Sequence, residues 1–167
     1  MTQLPLFCFG SLMDRDVLEC VLNENVSNLH MVPASLNHHR VAKLPHESYP
    51  MLVADERYRA PGQLLYGLSQ EQLDRIIFFE GEEYQIASCL VHLDNGSVAH
   101  ARFFSEGIMP KPEMTDWCFD QWRQQHKAYL LRQSSVYMAY YGKMSAAQAD
   151  YYWQTYSETP LAMAANG

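Results

Sequence analysis

The stretch Leu73-Asp74-Arg75-Ile76-Ile77-Phe78-Phe79-Glu80-Gly81-Glu82-Glu83-Tyr84, LDRIIFFEGEEY, decides how the chain is read. Ser69 followed by Gln72 forms a capping box, which predicts a helix from about Gln70 to Phe79 or Glu80. Wound from Leu73 at roughly 100° per residue, that helix puts Ile76 at about 300°, Ile77 at about 40° and Glu80 at about 340°. The acid therefore falls inside the apolar stripe, where a leucine is expected. Two readings stand. Glu80 is a frayed helix end reaching solvent, or it is a partly buried carboxylate beside Ile76, Ile77 and Phe79. In the second case desolvation and the helix C-terminal dipole both raise its pKa, which suits a group that takes a proton and returns it. Glu82 and Glu83 follow Gly81 and are expected to face water.

Upstream, LPLFCF (4–9) is a short apolar run closed by Gly10, and DRDVLECVL (14–22) has helical spacing with Asp14 placed to cap it. A buried strand that breaks at Gly10-Ser11 and enters a helix presents backbone N–H groups suited to a carboxylate or a developing oxyanion. The plainer reading is an ordinary strand-to-helix turn with a permissive glycine. Residues 29–44 read as one or two strands broken or kinked at Pro33. Residues 45–62 read as loop with a short strand at 51–54, and 63–68 as a further strand. Asp94-Asn95-Gly96 between YQIASCLVHL and VAHARFF signals a hairpin. Phe119, Trp122, His126, Tyr129, Leu130 and Gln133 follow helical spacing, and SAAQADYYWQTY after Gly142 reads as a last helix before a loose LAMAANG tail. The order β-α-β-β-β-α-β-β-α-α predicts an α+β fold with a mixed, mostly antiparallel sheet. A single domain over 1–167 is expected, with its core at about 4–133 and a helical C-terminal extension at about 134–160.

With 167 residues, 48% of them hydrophobic, the chain can bury a real core. A net charge of −7 with no basic run argues against nucleic acid or an anionic membrane as partner. The N-terminus lacks signal-peptide features, and no window reaches the ~18 apolar residues of a membrane span. Cys8, Cys20, Cys89 and Cys118 make no CxxC pair and lie in apolar surroundings, as buried reduced thiols of a cytosolic protein would. His38 and His39, taken as neighbours on a regular strand, point to opposite faces and make no metal site with His46. A two-residue turn would pair residue 92 with 99 and 91 with 100, setting His92 and His100 on opposite faces too. Ser11 lacks a nucleophile-elbow context. The aromatic run of residues 138–156 is a partner or dimer surface or, on the plainer reading, covers the sheet or closes a barrel end.

Four short motifs in order carry a resemblance: Phe9-Gly10-Ser11-Leu12, Tyr49-Pro50, Pro61-Gly62-Gln63-Leu64-Leu65-Tyr66-Gly67 and Glu80-Gly81-Glu82-Glu83-Tyr84. The chain resembles the γ-glutamylcyclotransferase-like proteins over about residues 4–133. WCFDQWRQQHKAYL (117–130) is similar to the C-terminal helix of their AIG2-like branch. The resemblance implies a small β-barrel-like mixed sheet flanked by helices. It also implies cofactor-free, metal-free intramolecular acyl transfer, releasing 5-oxoproline and an amine from a small γ-glutamyl substrate. Glu80 matches the family's general acid/base. The implied binding residues are Phe9, Gly10, Ser11 and Leu12 at the first turn, with Tyr49 and Tyr84. Where Phe9 stands the family usually has Tyr, so a possible hydroxyl contact is missing. A non-catalytic ligand-binding module and a Glu-dependent hydrolase remain as alternatives. Arg40, Lys43, His46, Arg57 and Arg59 are candidates to attract a substrate carboxylate.

Overall fold

In a computed structural model describing residues 3–81, 84–107 and 109–156, the alternation of apolar residues in the first strand explains the architecture. Strand β1 (Leu6–Cys8) sends Leu6 and Cys8 to one side, into a core shared with the helices. Phe7, and Phe9 just beyond it, point the other way, among Leu36, Val41, Leu64, Val91 and Phe103. A strand buried on both sides must be central, and β1 lies between β3 (Met51–Tyr66) and β5 (Val98–Ser105). It runs antiparallel to β3 and parallel to β5. β4 (Gln85–Leu93) joins β5 to β2 (His30–Lys43), and β2 pairs with β3. Five strands thereby close on themselves, and the short β6 (Thr115–Asp116) is added at β2. The mixed, mostly antiparallel barrel is the expected fold class, and closure removes its exposed edges.

Helices cover the side of β1 that carries Leu6 and Cys8. α1 (Arg15–Leu22) buries Val17, Leu18, Val21 and Leu22. α2 (Gln70–Glu80) starts at the capping box, Ser69 Oγ accepting from the Gln72 N–H while the Gln72 side chain accepts from the Ser69 N–H. α3 (Phe119–Gln125), α4 (Lys127–Met138) and α5 (Ala146–Tyr156) follow. No described helix is long and apolar enough to cross a membrane.

Several expectations are corrected. Pro33 does not break β2: it stands opposite Gln63 and is exposed, and pairing with β4 begins only at Ala34. A proline without an N–H is tolerated where one side of the strand is open. Residues 51–66 form one continuous strand and not a loop between two short strands. Pro61 pairs with Ser35 at a similarly open position. Gly62 is required because a Cβ there would stand 2.5 Å from the Cys8 carbonyl oxygen and 2.5 Å from the Phe7 ring. The β2–β3 register breaks between Asn37 and His39, where His38 takes a positive φ of 62°. His38 and His39 therefore do not sit on a regular strand as assumed.

The β4–β5 loop has three residues, not two. Leu93 N–H donates to Ser97 and Gly96 N–H to Leu93, with Gly96 at φ +84°. His92 pairs with Val98 and Leu90 with His100, so His92 and His100 share a face. His92 is bonded there to the Asn37 amide at 3.0 Å. On α2, Ile77 is 37% exposed while Phe78 is buried against Tyr137 and Tyr141, which shifts the apolar stripe away from Ile77. The helical spacing read through His126 is interrupted there (φ −126°), separating α3 from α4. Of the four free cysteines only Cys8 is buried, and Cys118 is exposed. The LAMAANG tail, Glu82 and Glu83 lie outside the described residues.

Candidate active site

Helix α2 ends where its sequence demands. Gly81 takes φ +88° and donates its N–H to the Ile77 carbonyl at 3.1 Å, and Tyr137 Oη donates to the Phe78 carbonyl. The last helical residue, Glu80, is thereby held with its side chain inside the protein at 0% exposure. Neither carboxylate oxygen has a hydrogen-bond partner among the described residues. A buried polar group of this kind is costly, and an ionised one more so. Burial pushes the Glu80 carboxyl well above the usual range, and the charge of Glu106 pushes it further in the same direction. Of the two readings of Glu80, the frayed, solvated end is excluded.

Cys8 and Tyr84 border this acid. The Cys8 thiol is held protonated by burial first and by the nearby Glu80 second. The Tyr84 phenol is likewise raised by burial, then by Glu80 and Glu106, a hydrogen bond to Glu106, and Tyr49. Tyr84 also packs edge-on against Phe104 of β5. The structure therefore brings Glu80, Tyr84 and Tyr49 into one neighbourhood. Tyr66 packs on His30 instead.

The first turn reaches the same neighbourhood through Cys8. Phe9, Gly10, Ser11 and Leu12 are all buried. A single 3-10 turn, Ser11–Met13, is closed by Met13 N–H donating to Gly10 O at 3.1 Å and Asp14 N–H to Ser11 O at 3.0 Å. Asp14 then caps α1 through Oδ1, accepting from the N–H groups of Asp16 and Val17. Its Oδ2 meets Lys127 Nζ at 2.9 Å and Arg123 Nε at 3.2 Å. This buried carboxylate fastens the turn to α1 and to the later helices. The Phe9 ring lies with the barrel-interior residues.

Glu106 was not foreseen. Gln85 opposes Ser105 in the β4–β5 ladder, so Tyr84 and Glu106 are the next facing pair. Leu6 is level with Arg102 in the parallel β1–β5 pair, so the strand that Glu106 follows lies beside β1. A signal was present in Glu106-Gly107 at the exit of an alternating strand, but the hairpin loop had to be read with three residues for it to be used.

Three of the five basic candidates are engaged elsewhere. Arg40 pairs with Asp116 at 2.7 Å and lies over Tyr58, Arg57 pairs with Asp55, and Arg59 donates to Asn37. Among the described residues no group of three or more His, Cys, Asp or Glu is arranged to hold a metal ion. What the arrangement offers is proton transfer at a desolvated carboxyl, next to a strand-to-helix turn.

Comparison with known proteins gives one answer. A profile described as gamma-glutamyl cyclotransferase, AIG2-like, matches residues 6–119. AIG2-like protein A of Arabidopsis thaliana is 27% identical over 124 residues, covering 73% of each chain. A solution structure of an Arabidopsis thaliana protein superposes with a TM-score of 0.60 at 22% identity, covering 80% of this chain and 89% of that one. A solved gamma-glutamyl cyclotransferase superposes with a TM-score of 0.50 at 11% identity, covering 66% of this chain and 69% of that one, a likeness of fold.

Proposed function

Since the chain belongs to the γ-glutamyl cyclotransferase, AIG2-like family, we propose that it cyclises a γ-glutamyl amine or peptide, releasing 5-oxoproline and the free amine. Glu80 is the general acid/base in this reading. The observation that carries it is a fully buried carboxyl without a hydrogen-bond partner among the described residues, beside the end of the first strand. A group so placed destabilises the fold, which is tolerated where chemistry requires it.

The substrate's α-amino group is an ammonium at neutral pH and cannot attack until it loses a proton. Glu80, as the carboxylate, takes that proton. The amine nitrogen then bonds to the γ-carbonyl carbon, whose oxygen becomes an oxyanion. Collapse of this intermediate breaks the bond to the departing amine, which receives the proton from Glu80; the regenerated carboxylate then takes the second proton from the ring nitrogen, leaving the neutral lactam, and passes it to the released amine. Burial matches the acid to both transfers by bringing its pKa nearer to working pH. Backbone N–H groups of Gly10, Ser11 and Leu12 hold the oxyanion or the substrate's α-carboxylate, with Tyr49 and Tyr84 shaping the site. Ring closure is intramolecular, so positioning supplies much of the rate and water takes no part.

The second reading is a module that binds the same class of ligand without turning it over. It is favoured by Phe9, which lacks the hydroxyl the family usually has and places its ring in the barrel interior. The test is a panel of γ-glutamyl amines and dipeptides assayed for 5-oxoproline by mass spectrometry. Product from the wild type that is lost in Glu80→Gln supports the enzyme. Binding without product, unaffected by that change, supports the module.

A further inference from the structure

The neighbourhood of Glu80 contains a second acid and, among the described residues, no basic partner for the first. Glu80 forms no ion pair or hydrogen bond among the described residues. Glu106 directly follows β5, facing Tyr84 in the next position after the Gln85–Ser105 pair, and the Tyr84 hydroxyl is bonded to it. Two carboxyl groups and a phenol thus converge at the end of α2. Glu80 is wholly enclosed, so bulk water does not serve as its countercharge. A ligand that satisfies such a place carries positive charge and several N–H donors on a compact centre.

From this juxtaposition of Glu106, Tyr84 and the unpartnered Glu80, we infer that Glu106 is the residue that binds the α-ammonium of the ligand and presents it to Glu80. The inference rests on the γ-glutamyl reading above and adds the selection of the free α-amine to it. An ammonium has three N–H donors: one directed at Glu106 leaves another for Glu80, the proton that must be removed before ring closure. Tyr84 fixes the orientation of the Glu106 carboxylate. A γ-acylated chain lacking the α-amine brings no countercharge to Glu80, so the site rejects it. Specificity for the glutamyl moiety is then set before chemistry begins.

The test uses two probes that differ only in this group, γ-glutamyl methylamide and N-methylglutaramate. Their binding is measured by calorimetry on Glu80→Gln protein, in which turnover is blocked. The amine-bearing probe is expected to bind about 10–100-fold more tightly, the range of a charge-assisted hydrogen bond. Adding Glu106→Gln should abolish that preference and leave N-methylglutaramate binding unchanged. In steady-state assays on otherwise wild-type protein, Glu106→Gln should raise KM more than it lowers kcat, and Glu106→Asp should recover part of the loss. A merely structural Glu106 would weaken both probes alike. Equal binding of the two probes before Glu106 is altered, or a preference that survives Glu106→Gln, overturns the inference while wild-type production of 5-oxoproline leaves the cyclotransferase reading standing. Absence of both binding and product overturns the two together.

Discussion

The carboxyl of Glu80, last residue of α2, lies close enough to the thiol of Cys8, last residue of β1, for its charge to oppose ionisation of the thiol. A helix end and a strand end far apart in sequence therefore meet in one desolvated volume. The proposed chemistry depends on that meeting.

Replacement of Glu80 by Gln keeps the shape and removes the proton acceptor. Turnover of γ-glutamyl substrate is expected to fall by about 10²–10⁴. The same variant should change the pH dependence of stability. The folded-state pKa of Glu80 is raised above its ordinary 4.5, by burial first and Glu106 second. From that ordinary value up to the raised one, the native state binds more protons than the unfolded state, so stability falls as pH rises. The slope from this group is up to about 1.4 kcal/mol per pH unit. Thermal unfolding of the two proteins should therefore diverge above pH 4.5 in favour of Gln. Parallel curves would show a solvated acid.

Gly62→Ala should destabilise the barrel by about 1–3 kcal/mol. The added Cβ meets a backbone oxygen and the buried Phe7 ring, each at 2.5 Å, and the backbone oxygen has no rotamer by which to move aside. Urea denaturation would measure this. An unchanged midpoint would mean that β1 and β3 are further apart than described.

Asp14→Ala removes the α1 cap and the partner of Arg123 and Lys127, and is expected to cost about 1–3 kcal/mol. Lys127 keeps Asp16 at 2.6 Å and Arg123 is half-exposed, so no cation is stranded in the interior. Asp14→Asn retains an oxygen for the cap and should cost less. The gap between the two variants isolates the cap.

Thiol-modifying reagents should label Cys118 first. Cys89 is half-buried with its thiol pushed up to about 11, and should react slowly. Cys8 should react only on unfolding. Fast native-state labelling of Cys8 would contradict the enclosure of the Glu80 neighbourhood.

Local signals in the sequence located much of this site. Ser69 and Gln72 set the start of α2, Gly81 set its end, and together they fixed the direction in which Glu80 points. Asp14 was recognisable as a cap, though its bonds to Arg123 and Lys127 are made across the fold. Long-range packing accounts for what could not be read. Pro61-Gly62 carries the local signature of a loop, yet Gly62 lies in a strand because the Phe7 ring passes against it. Ile77 looked like core until Phe78 was claimed by Tyr137 and Tyr141. One residue of error in the loop around Asn95 moved every cross-strand pair, which hid the facing of Tyr84 and Glu106.

The most direct test follows solvent oxygen through the reaction. Wild-type protein is incubated with a γ-glutamyl amine in ¹⁸O-labelled water and the products are weighed by mass spectrometry. Attack by the substrate's own nitrogen yields 5-oxoproline with no label from solvent, in an amount that Glu80→Gln reduces sharply. Labelled glutamate in its place, or label-free 5-oxoproline formed equally well without the Glu80 carboxylate, would contradict the role assigned to that buried acid.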